Sequence, residues 1–438
     1  MGVFVYVIAF LFSPAPDPSQ AAIHFPQAVI PSFGLMVIAA IIGYLGYRRG
    51  VSWSILTPIG FVLIIVLMFV GKSAGVLDAT GVGDPGVAPG VQGWSMILLG
   101  YAFLASVLPV WSLLQPRDFL NCLLLYVGLG GLYLGVFVGH PHFVAPAVQA
   151  HPKGAPSMFP FVFIVIACGA ASGFHSLVSS GTTAKQLDKE TDARVIGYGG
   201  MIGESLLGLM AVLATTAGVL TTDAWTQHYA NWGTASGLGA KVAVFINGCS
   251  TFLQSLGVDR YTGASFVSLI VVSYALTSLD SATRLLRYNV EEIAETVGFR
   301  FLVENRYASS IIAAGAIAFF AFYQVGGKAA GLALWQLFGT TNQLLAGLAL
   351  LAVTVYLLLR GRPWYFTGIP MVGMLVTTVI AMGSNVLNFF RAGHWLLFAM
   401  GLFLLVLAAW LIVEATIAIL RFKRSGQTID ALDIDVGT

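Results

Sequence analysis

The sequence predicts an all-α protein, a polytopic transmembrane helical bundle, and three observations predict it. Charged residues make up 9% of the 438 residues, whereas a soluble domain contains about 25%. Apolar residues make up 58%, and the mean hydropathy is +0.87. Apolar segments also follow one another along the chain without a soluble block between them. We therefore expect a single integral membrane domain over residues 1–424 and a short cytoplasmic polar tail over residues 425–438.

Eleven apolar segments are predicted to cross the bilayer, because a spanning helix needs about 20 predominantly apolar residues. Residues 1–12 are apolar but too short to span, so we expect a partial helix there. Loops between the segments are short and contain many glycines and prolines. The predicted spans are Val29–Tyr47, Ile55–Val70, Trp94–Leu114, Phe119–Val138, Phe159–Val178, Val195–Leu220, Tyr261–Asp280, Tyr307–Tyr323, Leu332–Leu359, Tyr365–Leu387 and Trp395–Leu420.

The segment Ala240–Leu256 is less apolar than these, since it contains Lys241, Asn247 and Gln254. Lys and Arg are enriched in cytoplasmic loops, so their positions report orientation. If this segment crossed, the basic loops after it would face outward. We therefore interpret it as a re-entrant or surface helix on the outer side. The same distribution, in which Arg117 is counted as a loop residue, predicts a multi-pass protein with a cytoplasmic C-terminus.

One predicted span loses its apolar character at membrane depth. From Ala167 to Thr183 it becomes a run of glycine, serine and threonine with one imidazole. Irregular backbone is tolerated at that depth only beside a cavity or packed protein, and broken helices offer free polar groups to a solute. The alternative is a tightly packed Gly/Ser helix. The candidate substrate-binding residues are Ser172, Gly173, His175, Ser176, Ser179, Ser180, Thr182 and Thr183.

A second polar group ends the span that begins at Tyr261. Thr277, Ser278 and Ser281 place hydroxyl oxygens within about one turn of Asp280. Hard oxygen ligands suit Na⁺, and a carboxylate can carry a proton. These four residues are the candidate coupling-ion site. The alternative is an ordinary helix end, in which Asp280 pairs with Arg284 at the i,i+4 spacing.

Three further polar residues lie within apolar segments. Glu204 is ten residues inside its predicted span and is a proton-relay candidate, because an ionisable group in a membrane is costly unless it has a role. It is alternatively a structural acid bonded to a neighbouring helix. Asn342 and Gln343 either line a pathway or bond helices together.

No pattern in the chain points to catalysis or to a cofactor. We find no nucleophile elbow, no phosphate-binding glycine loop and no H-E-x-x-H pair. The three cysteines and the loop histidines have no metal-ligand spacing. No basic patch interleaved with aromatic residues indicates nucleic acid. We therefore expect neither an enzyme nor a metal or cofactor site, and an intramembrane enzyme is the least favoured class.

Four runs of sequence resemble the carbon starvation protein A family. They are "SGFHSLVSSGTT" (Ser172–Thr183), "SLDSATRLLRY" (Ser278–Tyr288), "LALWQLFGTTNQLLAGLALL" (Leu332–Leu351) and "VLPVWSLLQPRDFL" (Val107–Leu120). The resemblance covers nearly the whole chain. It implies a secondary transporter of the bacterial inner (plasma) membrane that carries pyruvate, with peptides also proposed as substrates, and that is coupled to H⁺ or another cation. It also implies distant kinship with the LeuT-like amino acid–polyamine–organocation carriers, in which Phe159–Thr183 would be the broken sixth helix.

The chain departs from that family at its start, where members begin with further helices that include a "GAGP" stretch. We expect this version to be N-terminally shortened, with a second polypeptide as a possible source of the missing helices. The favoured function is secondary active transport of a small, pyruvate-like carboxylate coupled to H⁺ or Na⁺. The alternatives are a non-transporting or split membrane subunit that needs a partner chain, and a peptide transporter.

Overall fold

The computed structural model describes residues 1–16, 23–149, 153–155, 157–232, 238–325 and 328–425. Regular structure over these residues is helical, apart from one antiparallel pair of two-residue strands, β1 (Gln324–Val325) and β2 (Lys328–Ala329). The predicted all-α class is confirmed. The predicted polar tail lies outside the described residues from residue 426 onward.

Seventeen α-helices make up the described part of the chain, and short 3-10 or π turns adjoin several of them. The turns cover Pro26–Ala28, Tyr44–Arg48, Met158–Val162, Ser179–Thr183 and Ala184–Gln186. The helices are α1 (Gly2–Phe12), α2 (Val29–Gly43), α3 (Trp53–Gly71), α4 (Ala74–Thr80), α5 (Val91–Val107), α6 (Leu114–Gly139), α7 (Phe163–Ala170), α8 (Gly173–Val178), α9 (Asp192–Thr216), α10 (Thr222–His228), α11 (Leu238–Gln254), α12 (Arg260–Val297), α13 (Arg300–Glu304), α14 (Arg306–Phe322), α15 (Ala330–Leu359), α16 (Tyr365–Arg391) and α17 (Trp395–Ser425).

Nine helical segments of the described chain are long and apolar enough to cross a membrane, so the predicted number of eleven is not confirmed. Helices α5 and α14 lie at two predicted spans but have 17 residues each. Helix α11, at the predicted re-entrant segment, is not among the nine. The nine are Pro26–Arg48, Trp53–Gly71, Leu114–Gly139, Met158–Gln186, Asp192–Thr216, Arg260–Val297, Leu337–Leu359, Tyr365–Arg391 and Trp395–Glu414.

The end of α5 and the start of α6 both differ from the prediction. Helix α5 stops at Val107 because Leu108 is extended (φ −63°, ψ 146°), the conformation that a following proline imposes. Helix α6 already begins at Leu114. Arg117, which we had counted as a loop residue, therefore lies inside α6 and is buried.

The chain divides into two compact units, of which the first contains residues Met1–Ala155 and Gly197–Gly331. Its centre is the 38-residue helix α12, which packs against α5, α6, α11 and α14. Lipid is as apolar as leucine, so close packing rather than the hydrophobic effect holds such helices together. Small residues allow that packing: at Gly135 of α6, an added Cβ would lie 2.7 Å from the backbone carbon of Phe252 on α11.

Both ends of α12 are capped. The Asp259 side chain accepts a hydrogen bond from the backbone N–H of Thr262 at 2.9 Å, and the Thr262 hydroxyl donates to the other carboxylate oxygen. These two hydrogen bonds, the hydroxyl first, lower the pKa of Asp259 below its usual 3.8. At the other end, Gly298 adopts a left-handed conformation (φ 82°), which a glycine accepts without strain. The caps fix the ends of the helix that organises this unit.

The second unit contains residues Pro156–Ile196 and Leu332–Thr438. Helices α16 and α17 pack along each other, and α16 also contacts α7 and the turn before it. Two apolar clusters hold α15, α16 and α17 together. They consist of Leu337, Met382, Val386, Phe389 and Leu397, and of Leu344, Leu375 and Ala408.

Candidate functional site

The predicted broken helix is present in the second unit. Helix α7 ends at Ala170, and Ala171 leaves helical geometry (φ −142°, ψ 84°). Ser172 is extended, and its hydroxyl caps α8 by accepting from the N–H of His175 at 3.4 Å. Helix α8 then passes into a π turn at Ser179. The Ala-Ala-Ser-Gly run favours this break, because serine caps a new helix more readily than it continues an old one.

Asn342 of α15 closes the gap between α7 and α8. Its side-chain oxygen accepts from the N–H of Phe174 at 2.7 Å and from the hydroxyl of Ser172 at 3.2 Å. Its amide nitrogen donates to the Cys168 sulfur at 3.1 Å and to the Cys168 carbonyl at 3.4 Å. The end of one half-helix and the start of the other are thereby satisfied by one side chain. The amide that we had assigned either to a pathway or to interhelical bonding makes interhelical bonds here.

Gly173 permits this close approach to α15. A Cβ at this position would lie 2.5 Å from the Leu345 Cβ and 2.7 Å from the Ala346 nitrogen, and would also meet the Asn342 carbonyl oxygen. Any larger residue would push the break away from Asn342. Gly173 therefore has a packing role at the candidate site. The neighbouring Gln343 is buried as well, and its side-chain oxygen has no hydrogen-bond partner among the described residues.

Apart from Ser172, which is bonded to Asn342 of α15, the remaining candidate substrate residues are exposed or partly buried. Ser176 donates to the Gly173 carbonyl at 2.6 Å, and Ser180 donates to the Ser176 carbonyl at 3.0 Å. Both bonds stay within the segment, so they leave the acceptor side of each hydroxyl available. Exposure divides the set into exposed residues (His175, Ser179, Ser180 and Thr183) and partly buried residues (Ser172, Ser176 and Thr182).

The candidate coupling-ion segment lies in the first unit, on α12. Asp280 is 1% exposed, and its carboxylate is 2.5 Å from the Arg117 guanidinium of α6. The Tyr101 hydroxyl of α5 donates to the same carboxylate oxygen at 2.6 Å. The alternative pairing of Asp280 with Arg284 is wrong. Arg284 instead donates to the carbonyls of Ala105 and Leu108 at 2.7 and 2.8 Å, which cap the end of α5.

The other residues of this segment are less deeply buried. The Thr277 hydroxyl accepts from the side-chain amide of Asn121 on α6 at 2.9 Å, while Ser278 and Ser281 are partly buried. Sequence reasoning missed four residues that face this segment. The prediction places Arg117 and Asp118 in a loop. It places Asn121 and Tyr101 inside two predicted spans without assigning them a role. Adjacent Arg and Asp at the start of an apolar run were the signal that could have found them.

Glu204, the proton-relay candidate, lies on α9 and is exposed. Only 6% of the most apolar stretch of α9 is buried within the chain. Among the described residues, no group of three or more His, Cys, Asp or Glu side chains is arranged to hold a metal ion. The second unit therefore offers neutral hydroxyls and amides at the broken helix, and the first unit contains the buried ion pair of Arg117 and Asp280.

Comparison with known proteins adds a family to this geometry. The family model described as "Carbon starvation protein CstA" matches residues 1–234 and 219–381. The chain is 32% identical to a "Peptide transporter CstA" of Helicobacter pylori, over 78% of this chain and 56% of that protein. It is 30% identical to "Pyruvate/proton symporter BtsT" of Escherichia coli, over 88% of this chain and 63% of that protein. A "Peptide transporter CstA" of Mycobacterium tuberculosis is 33% identical, over 68% and 47% respectively.

The chain therefore spans between about half and two thirds of the length of these relatives. No solved structure matches it significantly.

Proposed function

The chain belongs to the carbon starvation protein CstA family, and on that premise we propose that it is a secondary active transporter of a small, pyruvate-like carboxylate coupled to H⁺ or Na⁺. The observation that carries the proposal is the broken helix at Ala171–Ser172 inside an apolar span. Backbone irregularity at membrane depth is tolerated beside protein or a polar pathway. Here one side is covered by Asn342, and the other side presents hydroxyls and an imidazole.

The proposed substrate site is that uncovered side. A carboxylate only accepts hydrogen bonds, so Ser176 and Ser180 would turn their hydroxyl protons from the backbone carbonyls they bond here toward the substrate, and an imidazole adds a further donor. The chain is a multi-pass membrane protein, as its apolar helices and its relatives indicate, and we place it in the inner membrane with a cytoplasmic C-terminus. The ligands we propose are Ser172, Gly173, His175, Ser176, Ser179, Ser180, Thr182 and Thr183, with Gly173 contributing backbone and close packing.

We place the coupling ion at Thr277, Ser278, Asp280 and Ser281, with Glu204 as a relay. By analogy with LeuT-like carriers, Phe159–Thr183 corresponds to the broken sixth helix and this segment of α12 to the eighth. Coupling arises when ion binding and substrate binding favour the same conformation of the carrier, because a ligand shifts an equilibrium only through its different affinities for the two states. Asn342 positions the broken helix for that change, and we propose that Gln343 lines the pathway.

Peptide transport is the second candidate, and the names of two of the relatives above favour it. A partner chain is the third element of the proposal. Helix α9 is apolar but barely covered by the rest of this chain, which leaves room for helices of a second polypeptide beside it. In that case the chain acts as a subunit of the carrier and transports only when the partner is present.

Uptake of labelled pyruvate into proteoliposomes tests the proposal. We expect uptake that is driven by an inward H⁺ or Na⁺ gradient and abolished by an ionophore. His175→Ala should reduce it at least tenfold, whereas the matched control His142→Ala, in an exposed loop, should leave it unchanged. Competition by excess dipeptide would move the substrate assignment to peptides. Absence of uptake, even when the additional helices with which family members begin are supplied on a second polypeptide, would refute transport by this chain.

A further inference from the structure

Two carboxylates face a single arginine in the first unit. Asp118 follows Arg117 on α6, and Asp280 approaches from α12. Arg117 places its Nη1 atom 2.5 Å from Asp280, so the charge of that carboxylate is already balanced. The Tyr101 hydroxyl gives Asp280 a second donor. Asp118 is then the carboxylate without an ion-pair partner of its own, because Arg117 is paired with Asp280 and Arg284 acts electrostatically on Asp280 as well.

Arg284 does not supply the missing positive charge to Asp118. Its guanidinium donates to the Ala105 and Leu108 carbonyls, the orphan acceptors at the end of α5. A buried, uncompensated charge in a membrane protein is expensive, and a carboxyl group in that position tends to take up a proton instead. Asp118 is the group of this cluster to which that argument applies.

One carboxylate oxygen of Asp118 lacks a donor, although the Thr277 hydroxyl hydrogen-bonds to the same carboxyl group. The Oδ1 atom of Asp118 and the Oδ1 atom of Asn121 are both buried, and neither has a hydrogen-bond partner among the described residues. The two residues are three apart on α6, so they share one face of the helix. Asn121 is 2% exposed, and its amide nitrogen is already used by Thr277. A proton on Asp118 adds the donor that this face lacks.

The groups around Asp118 come from three helices. The elements α2 and α3, which also pack on α6, contain no titratable residue between Val29 and Gly43 or between Trp53 and Gly71. Helix α11, with Lys241 and Cys249, meets α6 at its far end, near Gly135. The titratable and charged groups nearest Asp118 are Tyr101 of α5, Arg117 and Cys122 of α6, and Tyr274, Asp280 and Arg284 of α12.

We propose that Asp118 is the residue that binds and releases the coupling proton, while Asp280 stays ion-paired and positions Arg117. This inference rests on the proposed function, narrows the coupling ion to H⁺, and moves its site from the Thr277–Ser281 segment of α12 to Asp118 on the facing helix α6. The step is the formation and cleavage of one O–H bond on the Asp118 carboxylate, and no electrons are transferred. Arg117 uses only Nη1 toward Asp280, and its Nε and Nη2 atoms have no acceptor among the described residues. These two nitrogen atoms are therefore available to donate hydrogen bonds to Asp118 when its proton leaves.

Infrared difference spectroscopy of the full chain in lipid nanodiscs tests this inference without requiring transport. The spectrum is compared between about pH 9 and about pH 6, a range in which exposed carboxylates, with pKa values of about 4, stay ionised. We expect a carboxylic-acid C=O band to appear on acidification. Asp118→Asn should remove that band, and Asp118→Glu should shift it. Asp78→Asn, which changes an exposed aspartate on α4, should leave it intact.

Three results would overturn the inference. The band could persist in Asp118→Asn, Asp118→Glu could leave its frequency unchanged, or addition of Na⁺ at constant pH could remove it, which would make the site a cation site. Uptake assays separate this inference from the proposed function. If wild-type vesicles take up pyruvate and Asp118→Asn retains the same dependence on the proton gradient, the proposed transport function is supported and the assignment of the coupling proton to Asp118 is refuted. If wild-type vesicles take up nothing, the proposed function is refuted, and the band still shows whether Asp118 binds and releases a proton.

Discussion

Replacing Asn342 by leucine should open the junction between α7 and α8. The substitution keeps the volume of the side chain approximately constant but removes the acceptor 2.7 Å from the Phe174 N–H and the donor to Cys168. A buried N–H without an acceptor costs about 1–3 kcal/mol, and an interhelical side-chain bond in a membrane contributes on average about 0.6 kcal/mol. We therefore expect a local destabilisation of about 2 kcal/mol, centred on the break.

Hydrogen exchange of the Phe174 amide measures this effect where it arises. Since each 1.4 kcal/mol is about a factor of ten, the expected loss corresponds to about 30-fold faster exchange in Asn342→Leu. Gln343→Leu is the matched control, because Gln343 is adjacent, equally buried, and has a side-chain oxygen without a partner. It should leave Phe174 protection unchanged. Equal protection in wild type and Asn342→Leu would refute the reasoning that the asparagine joins the two half-helices.

Two further predictions concern packing and pH in the first unit. Gly135→Ala should increase the equilibrium constant for unfolding in detergent several-fold, because the added Cβ meets the backbone of α11. Gly130→Ala, on the same helix with open space around it, should be neutral or stabilising by up to about 1 kcal/mol; the same effect at both positions would contradict the packing argument. For the α12 cap, the pKa of Asp259 is lowered by folding, so its contribution is complete above the ordinary value of 3.8 and is lost as the pH falls through the lower folded value. Unfolding followed against pH should show this acid dependence in wild type and less of it in Asp259→Asn, which keeps a capping side chain; an unchanged profile would show that this cap does not contribute.

The break in the helix was predictable because its cause is local. Glycine and serine beside an apolar run signal a loss of helix within a few residues of where it occurs, and the structure places it at Ala171–Ser172. The short α5 had a local cause too, since Pro109 excludes helical geometry at Leu108. The apolar window ran past that proline, and this extended the predicted span to Leu114.

The partners of Asp280 were not predictable in the same way. The nearest positive charge along the chain, Arg284, is at helical spacing, yet the ion pair forms with Arg117, which is more than 160 residues away and on another helix. Periodicity within one helix carries no information about which helix packs against it. Likewise, the pattern around Asn342 left two interpretations open, and only the positions of Cys168 and Phe174 in three dimensions show the bonds that it makes.

The most direct measurement of the central claim is the location of bound substrate. Solid-state NMR of carboxyl-labelled ¹³C-pyruvate, bound to ¹⁵N-histidine-labelled chain in nanodiscs, reports which imidazole lies beside the carboxylate. The account predicts a dipolar contact that disappears in His175→Ala and survives in His142→Ala. Specific pyruvate binding whose contact is unaffected by loss of His175 would contradict the claim that the broken segment between α7 and the end of its π turn holds the substrate.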